Sequence, residues 1–213
     1  MPVESGKPGR KSVLERLVTV EHDEWPRLVL AFLYFFFLLG GYFMLRPIRG
    51  TVAANNSDDL HWLYTATFLT MIAIVPLFGF LVARFRRSQF IPAIYLFFIS
   101  NLVLFICTFT GDEPPAWVQQ VFYVWLSVFN LFAVSVFWSF MTDIFRPGQA
   151  QRLFGFIMAG GSLGAVMGPR LTVGLVNANG VTGVMLVSLV FLVVATVLAI
   201  SLGRYDLKVT HAQ

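Results

Sequence analysis

The chain has 213 residues, 57% of them hydrophobic and only 12% charged, with 23 phenylalanines and a mean hydropathy of +0.76. A soluble domain of this length cannot hide so much apolar surface, which excludes a soluble enzyme or binding module. The formal net charge is +4, yet no basic stretch interleaved with aromatics marks a nucleic-acid surface, and the single cysteine, Cys107, forbids an intramolecular disulfide.

The first 27 residues are polar and lack the apolar core of a cleavable signal peptide, so they read as a cytoplasmic amino-terminal segment. Six long, nearly uncharged runs follow: Leu28–Leu45, Leu60–Ala83, Phe90–Thr110, Ala116–Met141, Leu153–Val176 and Val181–Leu202. Each has about the 17–25 residues that carry an α-helix across a bilayer, where the backbone must satisfy its own hydrogen bonds. No ten-residue alternating segments suggest a membrane β-barrel. The expectation is an all-α polytopic membrane protein with six transmembrane helices over 28–203 and a cytoplasmic tail over 204–213.

The first run closes in "LRPIRG", with Arg46, Pro47 and Arg49 in quick succession. The link to the third run, "RFRRSQ", carries Arg84, Arg86 and Arg87. The fourth run holds Ser127 and Asn130 three residues apart, on one helical face, and ends at Asp143. The fifth, "GFIMAGGSLGAVMGPRLTVG", repeats small residues at Gly160, Gly161, Gly164 and Gly168, a spacing that lets another helix approach its backbone. Pro169 then removes one helical hydrogen bond and favours a kink, and Arg170 follows it.

Basic residues separate by side. Twelve of the fifteen lie in the amino-terminal segment, in the second-to-third and fourth-to-fifth links and in the tail, whereas the intervening loops "NNSDDLHW", "GDEPPA" and "NANG" contain no base. Basic loops stay cytoplasmic, so both termini are expected inside. Arg46, Arg49 and Arg170 are the exceptions, at the outer part of their spans with no acid at that depth to pair with. Asp143 falls level with Arg84, Arg86 and Arg87, where a charge cluster that opens and closes with a gate competes with a plain solvated pair. No His, Cys, Asp or Glu grouping has metal-ligand spacing, no nucleophile–base set assembles on one side, and the fifth run lacks the lysine of a phosphate loop; neither an enzyme nor a cofactor is expected.

Two segments resemble known patterns. "GFLVARFRRSQF" is similar to the major facilitator loop, departing at Ala83 and Arg86, where aspartate and glycine are usual. Gly155, Gly164, Gly168 and Pro169 resemble the start of the antiporter motif, with Thr172 and Val173 in place of its final glycine pair. "LRPIRG" and "FWSFMTDIFRPGQAQRLFGFIMAGGSLGAVMGP" together resemble bacterial relatives of the ATP/ADP translocase (nucleotide transporter) family. That resemblance implies two six-helix halves around a central cavity, each half built of two three-helix repeats, and nucleotide exchange. It also implies that the bases ending the first helix, here Arg46 and Arg49, bind substrate phosphate; Gly50 stands where relatives often carry an acid. Either the two arginines reach the outer headgroups and Pro47 helps end the helix, or the helix runs on through "TVAA", as first helices of such carriers tend to, and both lie inside the protein with Pro47 a bend.

The leading expectation is therefore an inner-membrane transporter, or its amino-terminal half, moving an anionic solute, first of all a nucleotide (ATP/ADP exchange), by alternating access. Arg46, Arg49, Arg170 and Asn130 are the candidate substrate residues, Arg84, Arg86, Arg87 and Asp143 the candidate gate, and Gly160, Gly164, Gly168 and Pro169 the packing and kink positions. A proton-coupled drug or metabolite exporter and a non-transporting six-helix scaffold are the alternatives. The expected partners are the lipid bilayer, the solute, and a second six-helix unit from another half or a second copy of the chain.

Overall fold

The computed structural model describes residues 24–84, 87–111 and 114–212, and the side chains of all of these except 87–89 and 207–212. Every regular element among them is helical: α1 Trp25–Asn55, α2 Leu60–Arg84, α3 Arg87–Phe109, α4 Ala116–Ile144 and α5 Pro147–Ala212. All five contain a stretch long and apolar enough to cross a membrane. The expected fifth and sixth runs thus form one 66-residue helical element. It is bent rather than straight, because Gly180 has φ 66° and ψ −167°, a conformation open essentially to glycine alone. The contacts show the reversal. Gly164, before the bend, and Phe191, after it, both rest against Gly40 of α1, so the arms 147–179 and 181–212 fold back on each other.

Three boundaries differ from the hydropathy runs. The first helix does not stop at Leu45 but continues through Pro47 to Asn55, where Asn56 caps it by donating both its backbone N–H (3.1 Å) and its Nδ2 (2.9 Å) to the Val52 carbonyl. The fifth begins at Pro147, not Leu153, with proline at the first helical position, where its missing N–H costs nothing. The tail from 204 continues the last helix to Ala212. Hydropathy marks where lipid ends, while a helix ends only where its terminal carbonyls find other partners. Backbone angles also stay helical through Pro169, the expected kink position; the break falls at Gly180.

The core is a seam between α1 and the first arm of α5. Arg152 pairs with Glu24 at 3.0 Å. Gly160 faces the Phe32 carbonyl, Gly164 the Phe36 carbonyl and Gly168 the Gly40 carbonyl. Thr172 Oγ1 donates to the Met44 carbonyl at 3.0 Å. These partners keep one sequence offset and climb by four or eight residues in the same direction, so the two helices run parallel without slipping. Twenty residues of helix, Glu24 to Met44, rise about 30 Å, the thickness of the hydrocarbon core. A Cβ at Gly160, Gly164 or Gly168 would lie 2.5, 2.4 or 2.7 Å from those carbonyl oxygens, so only glycine permits this approach. The second arm closes on the same helix through Ser188 Oγ, which donates to the Gly41 carbonyl at 2.9 Å.

On its other side α1 runs antiparallel to α4. Phe35 stacks on Phe137 with centroids 4.0 Å apart, Tyr42 meets Phe129 at 6.2 Å, and Arg49 meets Tyr123. Trp125 and Phe129 of α4 pack in turn against Phe98 of α3, with the rings tilted by 57° and 55°. Between α1 and α3 the buried hydroxyls of Tyr34 and Tyr95 are hydrogen-bonded to each other, which spares two polar groups from lipid. Only α2 stands apart: Leu63 is its single buried residue.

Candidate functional site

Extending α1 past Pro47 changes what Arg46 and Arg49 are. They sit nine and six residues before the helix end rather than at a loop junction, roughly 14 and 9 Å along the axis from it. Ile48 and Val52 are buried toward the bundle, and Arg46 and Gly50, two residues away on either side of Ile48, fall on the opposite face and are exposed. Pro47 takes one N–H out of the ladder, and Thr51 Oγ1 donates to the Pro47 carbonyl at 3.3 Å.

Arg49 has a partner that a search for acids misses. Its guanidinium lies 3.8 Å from the centroid of the Tyr123 ring, and its Nε donates to the Tyr123 carbonyl at 3.3 Å. A cation over an aromatic face keeps its charge, so the site is anchored but not neutralised. Arg46 lies 5.4 Å from the Phe43 ring centroid and makes no hydrogen bond or ion pair among the described residues. Tyr42, one turn inward, is within electrostatic reach of both guanidiniums. Tyr64 of α2 brings a further ring to Tyr123, with centroids 6.5 Å apart. The cluster therefore joins two cations to three tyrosines from α1, α2 and α4.

The other expected substrate residues are placed differently. Asn130 is half-buried on α4, two turns along the stripe of Tyr123 and Ser127. Ser127 does not reach another helix; its hydroxyl donates to the Tyr123 carbonyl of its own helix at 3.2 Å. Arg170 is exposed, and because it lies two residues beyond Gly168 it projects from the side of α5 away from the α1 seam. No contact among the described residues joins Arg170 to Arg46 or Arg49.

At the opposite end, Arg84 is exposed where α2 stops, Arg86 lies outside the described residues, and the Arg87 side chain is not described. Asp143 lines a pocket of about 540 Å³ with Arg204 and Asp206, from the far end of the last helix. This end also holds charges that hydropathy did not single out. Glu24 is only 3% exposed and accepts hydrogen bonds from Arg152 Nη2 (3.0 Å) and Gln149 Nε2 (2.9 Å). Arg27 pairs with Asp206 at 3.5 Å. The start of α1 is thus tied to both ends of α5. The signal in the sequence was an acid directly preceding a tryptophan–proline helix start, a pattern that reads equally well as an ordinary polar terminus.

Chemically, the arginine–tyrosine cluster can hold an anion and a flat ring and can do little else. Arg supplies forked donors suited to phosphate or carboxylate oxygens, and tyrosine faces accept stacked rings. No group of three or more His, Cys, Asp or Glu able to hold a metal occurs among the described residues.

Comparison with known proteins gives one result. The sequence profile described as Major Facilitator Superfamily matches residues 30–211, nearly the full length of the helical region. Neither the curated proteins nor the solved structures yield a match.

Proposed function

From the premise that this chain belongs to the Major Facilitator Superfamily, a family of membrane transporters, we propose that it carries an anionic solute of the nucleotide class by alternating access. What supports the reading is the Arg46–Arg49–Tyr123 arrangement: two guanidiniums kept charged well inside the length of α1, one of them on an aromatic ring. A nucleotide presents the complementary pair, phosphate for the arginines and a base for Tyr42, Tyr64 or Tyr123. Its relation to the nucleotide transporter family rests on the sequence resemblance through "LRPIRG" and the α4–α5 segment.

In this reading the chain crosses the inner membrane six times, with α5 crossing once before and once after Gly180, and both termini are cytoplasmic. A second six-helix unit, either another half or a second copy, completes the cavity on the exposed side of Arg46. Asn130 extends the polar stripe toward the midplane, while Arg170 contributes at long range to the positive field. The charged end formed by Glu24, Arg152, Arg27 and Asp206, together with Asp143 and the Arg84–Arg87 link, acts as the cytoplasmic gate.

A proton-coupled drug or metabolite exporter is the second reading, favoured by the antiporter-like Gly155, Gly164, Gly168 and Pro169. Equilibrium binding separates the two. The purified chain should bind labelled ATP or ADP in competition with inorganic polyphosphate, and Arg46→Ala with Arg49→Ala should abolish binding. Binding of a lipophilic cation that both substitutions leave intact, with no nucleotide binding, would select the exporter.

A further inference from the structure

The least covered helix of the bundle borders a long groove. α2 buries only Leu63, and between it and the α3–α4 pair run two cavities of about 680 and 510 Å³. They share Ile74, Phe97, Phe98 and Val128, so they adjoin along the side of the bundle. From Asp59 to Leu81 on α2 the groove follows about 22 residues, some 33 Å of helix, close to the thickness of the hydrocarbon core. It spans both leaflets and opens sideways, so one phospholipid fills only its outer part, from Asp59 to about Ile74.

Its two ends differ. The inner part, with Leu77, Leu81, Phe90 and Ile94, offers no side-chain hydrogen-bonding group. The mouth is polar and aromatic: Asp59, Trp62, Trp117 and Gln120 meet there. Trp62 is 65% and Trp117 67% exposed, so both indoles stand clear of the core at the level where tryptophan meets headgroups. Asp59 caps the first turn of α2 with its backbone, accepting from the N–H groups of Trp62 and Leu63. Its carboxylate makes no ion pair or hydrogen bond among the described residues. An unpaired carboxylate at a mouth that also carries two exposed indoles favours a cation, by charge and because indole rings attract cations.

We propose that this groove is a binding site for one phospholipid with an ammonium headgroup, phosphatidylethanolamine in type, its ammonium at Asp59, Trp62 and Trp117 and its acyl chain lying along Phe97, Phe98 and Val128. In the orientation proposed above the lipid belongs to the outer leaflet. The site is separate from the arginine–tyrosine cluster: the two share no lining residue, and the cluster favours the opposite charge. Failure of nucleotide binding leaves this assignment standing.

The test uses the whole chain reconstituted in vesicles of mixed phosphatidylethanolamine and phosphatidylglycerol, extracted into mild detergent and weighed by native mass spectrometry. The expected result is one retained lipid per chain, with the ethanolamine headgroup preferred about fivefold, the weight of a single charge near a membrane surface. Asp59→Asn, an exposed change that leaves the core untouched, should bring that preference to about one. Ala66→Phe, which fills the groove, should release the lipid. It should also reduce quenching of tryptophan emission by phosphatidylethanolamine brominated on its acyl chains; Trp25 and Trp138, outside the groove, contribute equally to both proteins. Equal retention of the two headgroups by the unaltered chain, the behaviour of ordinary boundary lipid, overturns the proposal. So does an ethanolamine preference that survives Asp59→Asn.

Discussion

Replacing Gly164 by alanine puts a methyl 2.4 Å from the Phe36 carbonyl oxygen and 2.9 Å from the Gly40 backbone nitrogen. Ordinary contact begins near 3.4 Å, so α1 and α5 must part by about 1 Å, and both obstructing groups are backbone that cannot swing aside. Overpacking of this kind costs about 1–3 kcal/mol. Separation also stretches the Thr172–Met44 hydrogen bond two rungs outward, and an interhelical bond in a membrane contributes about 0.6 kcal/mol. The combined loss is about 2–4 kcal/mol, or roughly a 5–10 °C fall in unfolding temperature for a chain of this size. Gly155 and Gly174 lie on the same helix with nothing within 4 Å of an added Cβ. Alanine there should leave stability unchanged or raise it by up to about 1 kcal/mol through helix propensity. Thermal unfolding in detergent, followed by tryptophan emission, compares the three. If Gly164→Ala melts with Gly155→Ala, the seam does not hold the bundle as described.

Three further expectations follow from the same contacts. Gly180→Ala forces a side chain into φ 66°, ψ −167°; strain of about 1–3 kcal/mol should lower the unfolding temperature and weaken the fold-back, seen as loss of a cysteine cross-link between the arms. Glu24→Ala removes the buried carboxylate that accepts from Arg152 and Gln149 and should destabilise by about 3 kcal/mol, with Glu24→Gln keeping hydrogen bonds and losing about half as much, both read by denaturant unfolding. Arg49→Lys keeps the charge but not the planar stack on Tyr123. It should therefore cost less nucleotide affinity than Arg49→Ala in a direct binding titration, though still a measurable amount.

Hydropathy made the membrane class and the apolar runs legible, because bilayer thickness fixes their length. It placed the end of α1 ten residues early, since Arg46 and Arg49 look like a boundary when lipid is the only solvent considered. The stop signal was the pair Asn55–Asn56, whose second member caps the helix. Glycine spacing announced close packing on α5, but nothing in one helix says which neighbour approaches. The partner row, Phe32, Phe36 and Gly40, contributes backbone carbonyls and so leaves almost no mark in side-chain pattern. Arg49 looked unpartnered because its partner is a ring and a carbonyl on Tyr123, seventy-four residues away. The turn at Gly180 was foreshadowed by "NANG", although the helix needs only that one glycine to reverse. Glu24 and Asp206 were hidden for a different reason: acids at helix ends are ordinary, and only the bundle brings them to Arg152 and Arg27.

Uptake of labelled ATP or ADP into vesicles carrying the reconstituted chain, with and without nucleotide inside, bears most directly on the proposed activity. The arginine–tyrosine cluster predicts uptake stimulated by internal nucleotide and reduced at least tenfold by Arg46→Ala or Arg49→Ala, the loss of one charged hydrogen-bonding group to phosphate. Uptake that both substitutions leave unchanged would contradict the account. So would vesicles that move a lipophilic cation and no nucleotide.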